Sequence, residues 1–455
     1  MTIENKDKKY LWHPFTQMKD WMDNDIIVIE RAGGNYLYDT RGRRYLDGIS
    51  SLWCNIHGHQ VRDIDLAITS QLSKVAHSTM LGLSNIPAVE LAEELINIAP
   101  KGLSRVFYSD SGSTAVEIAL KMAFQYWQQV SQGDTQIARR KTRFLTFVNA
   151  YHGDTIGAVS LGGIDLFHKT YGQLLFRTVK APAPYCYRCP MGRKRKQCNL
   201  ECLAEVERLL RRHHKELAGA VIEPLVQGAA GMITQPKGFI RRLRQLCNEY
   251  DILMIADEVA TGFGRTGRMF ACERENVKPD IMTVAKGITG GYLPLAATLT
   301  TEKIFKGFLG EFKDNKTFFH GHTYTGNPLA CSAGLANLRI FRKGKTLPKI
   351  QPKIKILEKE LQGLHKLENV GDIRQCGLMA GIELVSDRKT KTPFDYRKRI
   401  GHKVIIEARK RGVMLRPLGD VIVLMPPLSI TFKELKLLLQ VTYQSIEAVM
   451  NHLNS

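Results

Sequence analysis

Three polar groups in this chain stand where an apolar run stops, and each is of a type that can do chemistry. The run ILMIAD (252–257) ends in Asp257, followed by a second acid, Glu258, and the glycine-rich stretch TGFGRTGR. A carboxylate at the end of a buried strand needs a positive partner. A protonated pyridine nitrogen would serve and would be held protonated by that same acid; the alternatives are an active-site aspartate of another kind or a cap for the following turn. The run PDIMTVAK (279–286) ends in Lys286, just before GITGG. An amine approached through apolar surroundings is poorly solvated, which depresses its pKa and favours imine formation; otherwise it is a lysine snorkelling at a strand exit. The run RVFYSD (105–110) leads into Ser111, Gly112 and Ser113 at the start of a helical segment. Free backbone N–H groups and the helix dipole suit a phosphate there, unless Ser111 or Asp110 merely caps the helix.

In open parallel sheets ligands sit outside the carboxyl ends of the strands. A phosphate cradle, a pyridinium partner and an imine-forming lysine at neighbouring strand ends are together what pyridoxal 5′-phosphate requires. The rival is a dinucleotide fingerprint, because Gly262, Gly264 and Gly267 fit G-x-G-x-x-G. It is weak: residues 257–261 intervene, whereas a pyrophosphate turn follows its strand directly. GFGRTGR is therefore expected to be a site loop that needs glycine conformations, tethered by Arg265 or Arg268.

The elements that must position these groups are legible as alternating patterns. Residues 26–47 read as a meander of short strands with turns at Gly33–Gly34 and Arg41–Gly42. Helical spacing over 60–98 stops at Pro100 and Gly102. Beyond it, strands at 105–110, 143–150, 218–225, 252–257, 279–286 and 294–301 are interleaved with helices such as 111–130 and 238–250. That alternation predicts a mostly parallel sheet with helices on both faces. After about residue 330 the pattern becomes helices at 328–344, 349–365, 397–411 and 432–452 with short strands near 371–385 and 413–425. The expected organisation is an N-terminal segment (1–60) packing with a small α+β unit (329–455), and a large α/β unit (61–328) between them.

Composition excludes some classes. At 455 residues with 44% apolar and 24% charged content the chain is globular, and it contains no run of 18 apolar residues to span a membrane. Its N-terminus, MTIENKDKKY, lacks the apolar core of a secretory signal, so the cytoplasm is expected. The net charge of +21 raises a nucleic-acid partner. The clusters RKRK (193–196), RRHHK (211–215) and RRLR (241–244) are, however, dispersed and lack interleaved aromatics, so solvated faces are expected and no nucleic acid. Nine cysteines, an odd count, argue against a disulfide framework. Four of them, Cys186, Cys189, Cys198 and Cys202, are spaced C-x2-C-x8-C-x3-C. They read either as a packed insertion loop without metal or as a structural zinc site that staples the loop.

Over nearly its whole length the chain resembles the class III aminotransferases, pyridoxal-phosphate enzymes of fold type I. The stretches that carry the resemblance are LWHPFTQM (11–18), SLWCNIHGH (51–59), SDSGSTAVEIALKMAFQYW (109–127), YHGDTIGAVS (151–160), IEPLVQGAAGM (222–232), IADEVATGFGRTGRMFACE (255–273), AKGITGG (285–291), HGHTYTGNPLAC (320–331) and RPLGDVIVLMPP (416–427). The resemblance implies a large domain with a mostly parallel sheet plus a smaller α+β domain. It makes Lys286 the lysine that joins the cofactor and moves the proton, and Asp257 the partner of the pyridine nitrogen. Gly112 and Ser113 would bind the phosphate with Thr323, which would reach across from a partner subunit of a homodimer. Tyr151 and Val259 would bracket the ring. Trp53, Tyr151, Gly321 and Arg416 would bind substrate, Arg416 through the carboxylate of the keto acceptor. Within the family the chain is most similar to the branch that converts 8-amino-7-oxononanoate to 7,8-diaminononanoate in biotin formation. Two positions depart from the commoner pattern: Leu52 replaces a tryptophan and Phe15 a tyrosine. They leave the amino donor open between S-adenosylmethionine and lysine. Another ω-aminotransferase of the class, acting on ornithine, acetylornithine, 4-aminobutyrate or a diamine, is the alternative.

Overall fold

The computed structural model describes residues 1–130 and 141–454. An N-terminal meander of β1 (Ile29–Gly33), β2 (Tyr36–Asp39) and β3 (Arg44–Asp47) precedes the central elements. These are β4 (Leu103–Ser109), β5 (Arg143–Phe147), β6 (Val179–Ala181) and β7 (Leu217–Ile222), then the short hairpin β8 (Val226–Gln227) and β9 (Ile233–Thr234). β10 (Leu253–Asp257), β11 (Ile281–Val284) and β12 (Ala296–Thr301) follow. Seven of them form one sheet in the order β4-β12-β11-β10-β7-β5-β6. β12 runs against both its neighbours, while the β5, β6, β7, β10 and β11 pairings are parallel. β7 and β10 are buried at every position, which is why they read as continuous apolar runs rather than alternating ones.

Helices cover this sheet through one apolar stripe each. The helix Gly112–Val130 buries Ala115, Val116, Ile118, Ala119, Leu120, Ala123, Tyr126 and Trp127, a 3–4 spacing. The helix Phe239–Glu249 buries Phe239, Ile240, Leu243, Leu246 and Cys247. Its RRLR segment is thus split, Leu243 inward and the arginines toward acids: Arg242 pairs with Glu207 at 3.3 Å and Arg244 with Asp280. The RRHHK cluster lies at the C-terminal end of the helix Glu201–His213, where cations meet the negative end of the dipole.

The C-terminal part contributes β13 (Val370–Cys376), β14 (Met379–Leu384), β15 (Val413–Met414), β16 (Arg416–Leu418) and β17 (Val421–Leu424). An antiparallel sheet runs β13-β14-β17-β16, and β15 pairs in parallel with β3, so the N-terminal meander and the C-terminal chain share a sheet. Among the described residues no helix is long and apolar enough to cross a membrane.

Candidate active site

β10 and β11 end side by side, with Asp257 in register with Thr283, three residues before Lys286. Asp257 Oδ1 accepts from the Val259 N–H at 3.1 Å and from Thr283 Oγ1 at 3.2 Å. Oδ2 lies 2.6 Å from Nδ1 of His152, whose side chain is fully buried. A carboxylate has about four acceptor sites, so three partners hold the group without exhausting it. Glu258, its neighbour in sequence, has a different task. It accepts from Thr261 Oγ1 (2.6 Å) and from the N–H groups of Ala271 (3.0 Å) and Cys272 (2.8 Å), closing the base of the glycine loop. Burial pushes its pKa up to about 6.

The loop itself turns on Gly264 (φ +87°) and Gly267 (φ +91°), conformations that glycine adopts without strain. Of the two candidate tethers the structure selects Arg265. It is buried and donates to the carbonyls of Pro426 (2.7 Å) and Asn55 (2.8 Å), and more weakly to that of Trp53 (3.4 Å). Burial pushes its pKa down to about 10. Arg268 is exposed and plays no such part.

Lys286 leaves β11 with φ +42°, an uncommon conformation for a residue with a side chain, held by the packed chain around it. Its Nζ stands 5.6 Å from the Trp53 ring centre. Burial lowers its pKa, opposed by the negative charges of Asp257 and Glu223. Glu223 is buried and accepts from the N–H groups of Tyr151 (3.1 Å) and Gly228 (2.9 Å); burial raises its pKa to about 7.

Gly112 and Ser113 open the helix Gly112–Val130, whose first-turn N–H groups lack intrahelical partners. Ser111 does cap the helix, its Oγ accepting from the Thr114 N–H at 3.3 Å, which leaves the N–H groups of Gly112 and Ser113 for a ligand. A Cβ on Gly112 would come within 2.6 Å of Val259 Cγ1, so the cradle is closed to side chains. Gly112→Ala is expected to weaken cofactor affinity by about tenfold or more and to lower Tm by a few degrees, because the same overlap forces Val259 to shift. Titration of the apoenzyme with pyridoxal 5′-phosphate measures it.

One cavity of about 480 Å³ gathers Trp53, Gly112, Ser113, Tyr151, Asp257, Val259 and Lys286. Its lining fits pyridoxal 5′-phosphate: backbone donors where a Cβ has no room, a buried carboxylate for the ring nitrogen, and a desolvated lysine. The buried Nε2 of His152 and Nε1 of Trp53, both without protein partners among the described residues, add polar atoms at this site. Tyr151 donates to Asp154 at 2.7 Å, and burial together with that carboxylate raises its pKa, keeping the phenol protonated.

Other expected site residues stand outside this cavity. Arg416, at the start of β16, is half-buried and close enough to Tyr151 for their charges to interact. Burial lowers its pKa, and among the described residues no carboxylate pairs with it. Gly321 and Thr323 are exposed. Phe15 packs edge-on against Phe167 (5.4 Å), which in turn meets Tyr151 (6.2 Å). Leu52 is exposed beside Trp53. Of the four clustered cysteines, Cys202 packs in the core, and Cys198 Sγ contacts the Glu201 carboxylate at 3.2 Å while accepting the Leu200 N–H at 3.3 Å. Among the described residues no group of three His, Cys, Asp or Glu is placed to hold a metal ion.

Sequence reasoning overlooked His152 and Glu223. The signal for Glu223 was present, since the apolar run AGAVI (218–222) stops at that acid. His152 follows Tyr151 in YHGD, but nothing local says that it meets a residue 105 positions away.

Comparison with known proteins supplies the family. A family model described as aminotransferase class III matches residues 17–446. An adenosylmethionine-8-amino-7-oxononanoate aminotransferase of Nitratidesulfovibrio vulgaris is 59% identical over 450 residues, covering 99% of this chain and 82% of that protein. The crystal structure of the enzyme of that name from Methanocaldococcus jannaschii has a TM-score of 0.92 at 48% identity, covering 98% of each chain. An omega transaminase from Pseudomonas jessenii, solved in complex with PMP, has a TM-score of 0.93 at 30% identity over 99% of each chain. On its cofactor cavity, its fold and these likenesses, the chain belongs to the class III aminotransferases.

Proposed function

We propose that this enzyme transfers an amino group to 8-amino-7-oxononanoate, forming 7,8-diaminononanoate, with S-adenosylmethionine or lysine as donor. The observation that carries the reading is the meeting of Lys286, Asp257, Gly112 and Ser113 in one cavity, with Arg416, which no carboxylate pairs among the described residues, close to Tyr151 of that cavity. The names of the relatives support the same substrate. Bound pyridoxal 5′-phosphate supplies a carbonyl that joins amines and a ring that takes up an electron pair.

The protein's part is positioning, electrostatics and proton movement. Gly112 and Ser113 bind the phosphate, and Tyr151 and Val259 confine the ring. Asp257, oriented by His152 and Thr283, keeps a positive charge on the ring nitrogen. Lys286 would join the cofactor's carbonyl and, when free, would hold and move a proton at Nζ; burial lowers its pKa, which favours the neutral amine that this role needs. Arg416 binds the acceptor's far carboxylate and Trp53 lines its alkyl chain. We further propose a homodimer, in which Gly321 and Thr323 complete the neighbouring site; their exposure outside their own cavity supports this. The reading also divides the chain into an N-terminal segment (1–60), a large cofactor-binding domain (61–328) and a small domain (329–455). The nine unbridged cysteines are compatible with work in the cytoplasm.

The test separates the two halves of the reaction. The holoenzyme mixed with S-adenosylmethionine or with lysine should lose its visible absorbance with one of them. Loss with neither, but with ornithine or 4-aminobutyrate, would retire the substrate assignment and keep the class. Arg416→Gln is expected to raise the acceptor KM by about 30- to 100-fold by removing a charge-assisted bond, with the donor half-reaction unchanged.

A further inference from the structure

We propose that Arg374 is a positioning residue that sets the reach between Lys286 and Arg416, and with it the acceptor chain length that the enzyme accepts. The inference rests on the role given above to Arg416. Lys286 follows a strand of the central sheet, whereas Arg416 opens a strand of the C-terminal sheet. Neither sheet alone determines how far apart these groups stand; the seam between the sheets does.

Arg374, on β13 and almost fully buried, ties the C-terminal sheet to the β8–β9 hairpin that lies between it and the cavity. Its Nε and Nη2 both donate to the carbonyl of Gly231, at 3.1 and 2.8 Å. Its Nη1 faces Tyr185 Oη (2.9 Å), Asp372 (3.0 Å) and Glu383 (2.5 Å). Gly231 belongs to the turn between β8 and β9, closed by the Gly231 N–H donating to the Gly228 carbonyl at 3.1 Å. This turn is a wall of the site. Ala229 lines the cavity, Gly228 is bonded to Glu223, and a Cβ on Gly228 would lie 3.4 Å from the Trp53 ring.

On its other side Arg374 is continuous with the substrate carboxylate's receptor. β13 pairs with β14, β14 with β17, and β17 with β16, where Arg416 lies opposite Val423. The seam has no slack. A Cβ on Gly381 of β14 would lie 2.9 Å from the Gly231 oxygen, and one on Gly231, which has φ +104°, would lie 3.0 Å from Val421 Cγ2. Backbone therefore meets backbone, and the guanidinium pins the contact. A lysine would keep the charge beside Glu383 and Asp372, but a single ammonium lacks the planar fork that serves a carbonyl on one edge and carboxylates on another.

The experiment compares Arg374→Lys with wild type as holoenzymes, on 8-amino-7-oxononanoate and on its homologue shorter by one methylene. A methylene is ordinarily discriminated by about 10- to 200-fold. We expect the acceptor KM to rise by about tenfold and the kcat/KM preference for the longer acceptor to fall by about tenfold, with the donor half-reaction rate unchanged. Unchanged acceptor KM and preference in a folded variant would overturn the proposal, as would an equal slowing of the donor half-reaction, which marks a general structural role. If Arg374→Lys does not fold, Tyr185→Phe loosens the guanidinium while leaving its bonds to Gly231; a smaller shift in the same direction supports the proposal and an unaltered preference overturns it. Arg416→Gln separates the two levels. An unchanged acceptor KM there overturns the carboxylate reading and this inference with it, whereas a raised KM there beside an unchanged one in Arg374→Lys overturns this inference alone.

Discussion

Lys286→Ala is expected to lower turnover by about 10⁴-fold or more, because on the proposed mechanism the same amine joins the cofactor and moves the proton. The structure indicates that the fold will tolerate the change. The Lys286 Nζ takes part in no ion pair or hydrogen bond among the described residues and stands 5.6 Å from the Trp53 ring centre, and burial already disfavours its charged form. Alanine keeps a Cβ at the same positive-φ position, so no new backbone strain is introduced. Gly112, Ser113 and Asp257, the proposed cofactor-binding residues, remain in place to hold it without a covalent link. The variant should therefore melt close to the wild type and still bind pyridoxal 5′-phosphate, while single-turnover mixing with either donor shows no change in visible absorbance. Near-normal turnover would remove Lys286 from the mechanism and, with it, the assignment of this cavity.

The second large effect is expected from Asp257→Asn. The side chain keeps its shape and its oxygen can still accept from the Val259 N–H, so the loop geometry survives. Two things change. The negative charge that is proposed to balance a cationic ring nitrogen disappears, and an amide N–H2 now confronts His152 Nδ1, which must become an acceptor by moving its proton to Nε2. That nitrogen is buried and without a protein partner among the described residues, so the altered tautomer gains no compensating protein bond. Loss of a preorganised charge in such a site typically costs about 10²–10³ in kcat. We expect a fall of that size in both half-reactions, with a smaller loss of cofactor affinity. A pre-steady-state comparison of the two halves measures it, and a variant within threefold of wild type would show that the ring nitrogen does not depend on Asp257.

Much of the fold was legible because its signals are local. β7 and β10 are buried on both faces and so appear as unbroken apolar runs; the helix Gly112–Val130 shows its buried stripe at 3–4 spacing. The chemistry-bearing residues at strand ends were legible for the same reason, since Asp257 and Lys286 each interrupt an apolar run at its exit. Glycine loops advertise their turns by composition, and the positive φ of Gly264 and Gly267 matches what that composition requires.

What the sequence by itself determined, then, was the kind of elements present and the residues able to do chemistry at their ends. Tertiary structure alone decided which ends meet and which like residues differ. Arg265 and Arg268 are three positions apart and chemically identical, yet only Arg265 enters the core to hold the carbonyls of residues 53, 55 and 426. Asp257 and Glu258 are adjacent acids, yet one faces the cavity and the other ties the loop. His152 becomes part of the site only because β10 lies beside β7 and the loop after β5 folds over their ends. Propensity and periodicity act over a few residues, whereas strand order, burial and the loss of solvation that moves the pKa values of Lys286 and Glu223 arise from contacts between segments far apart in the chain.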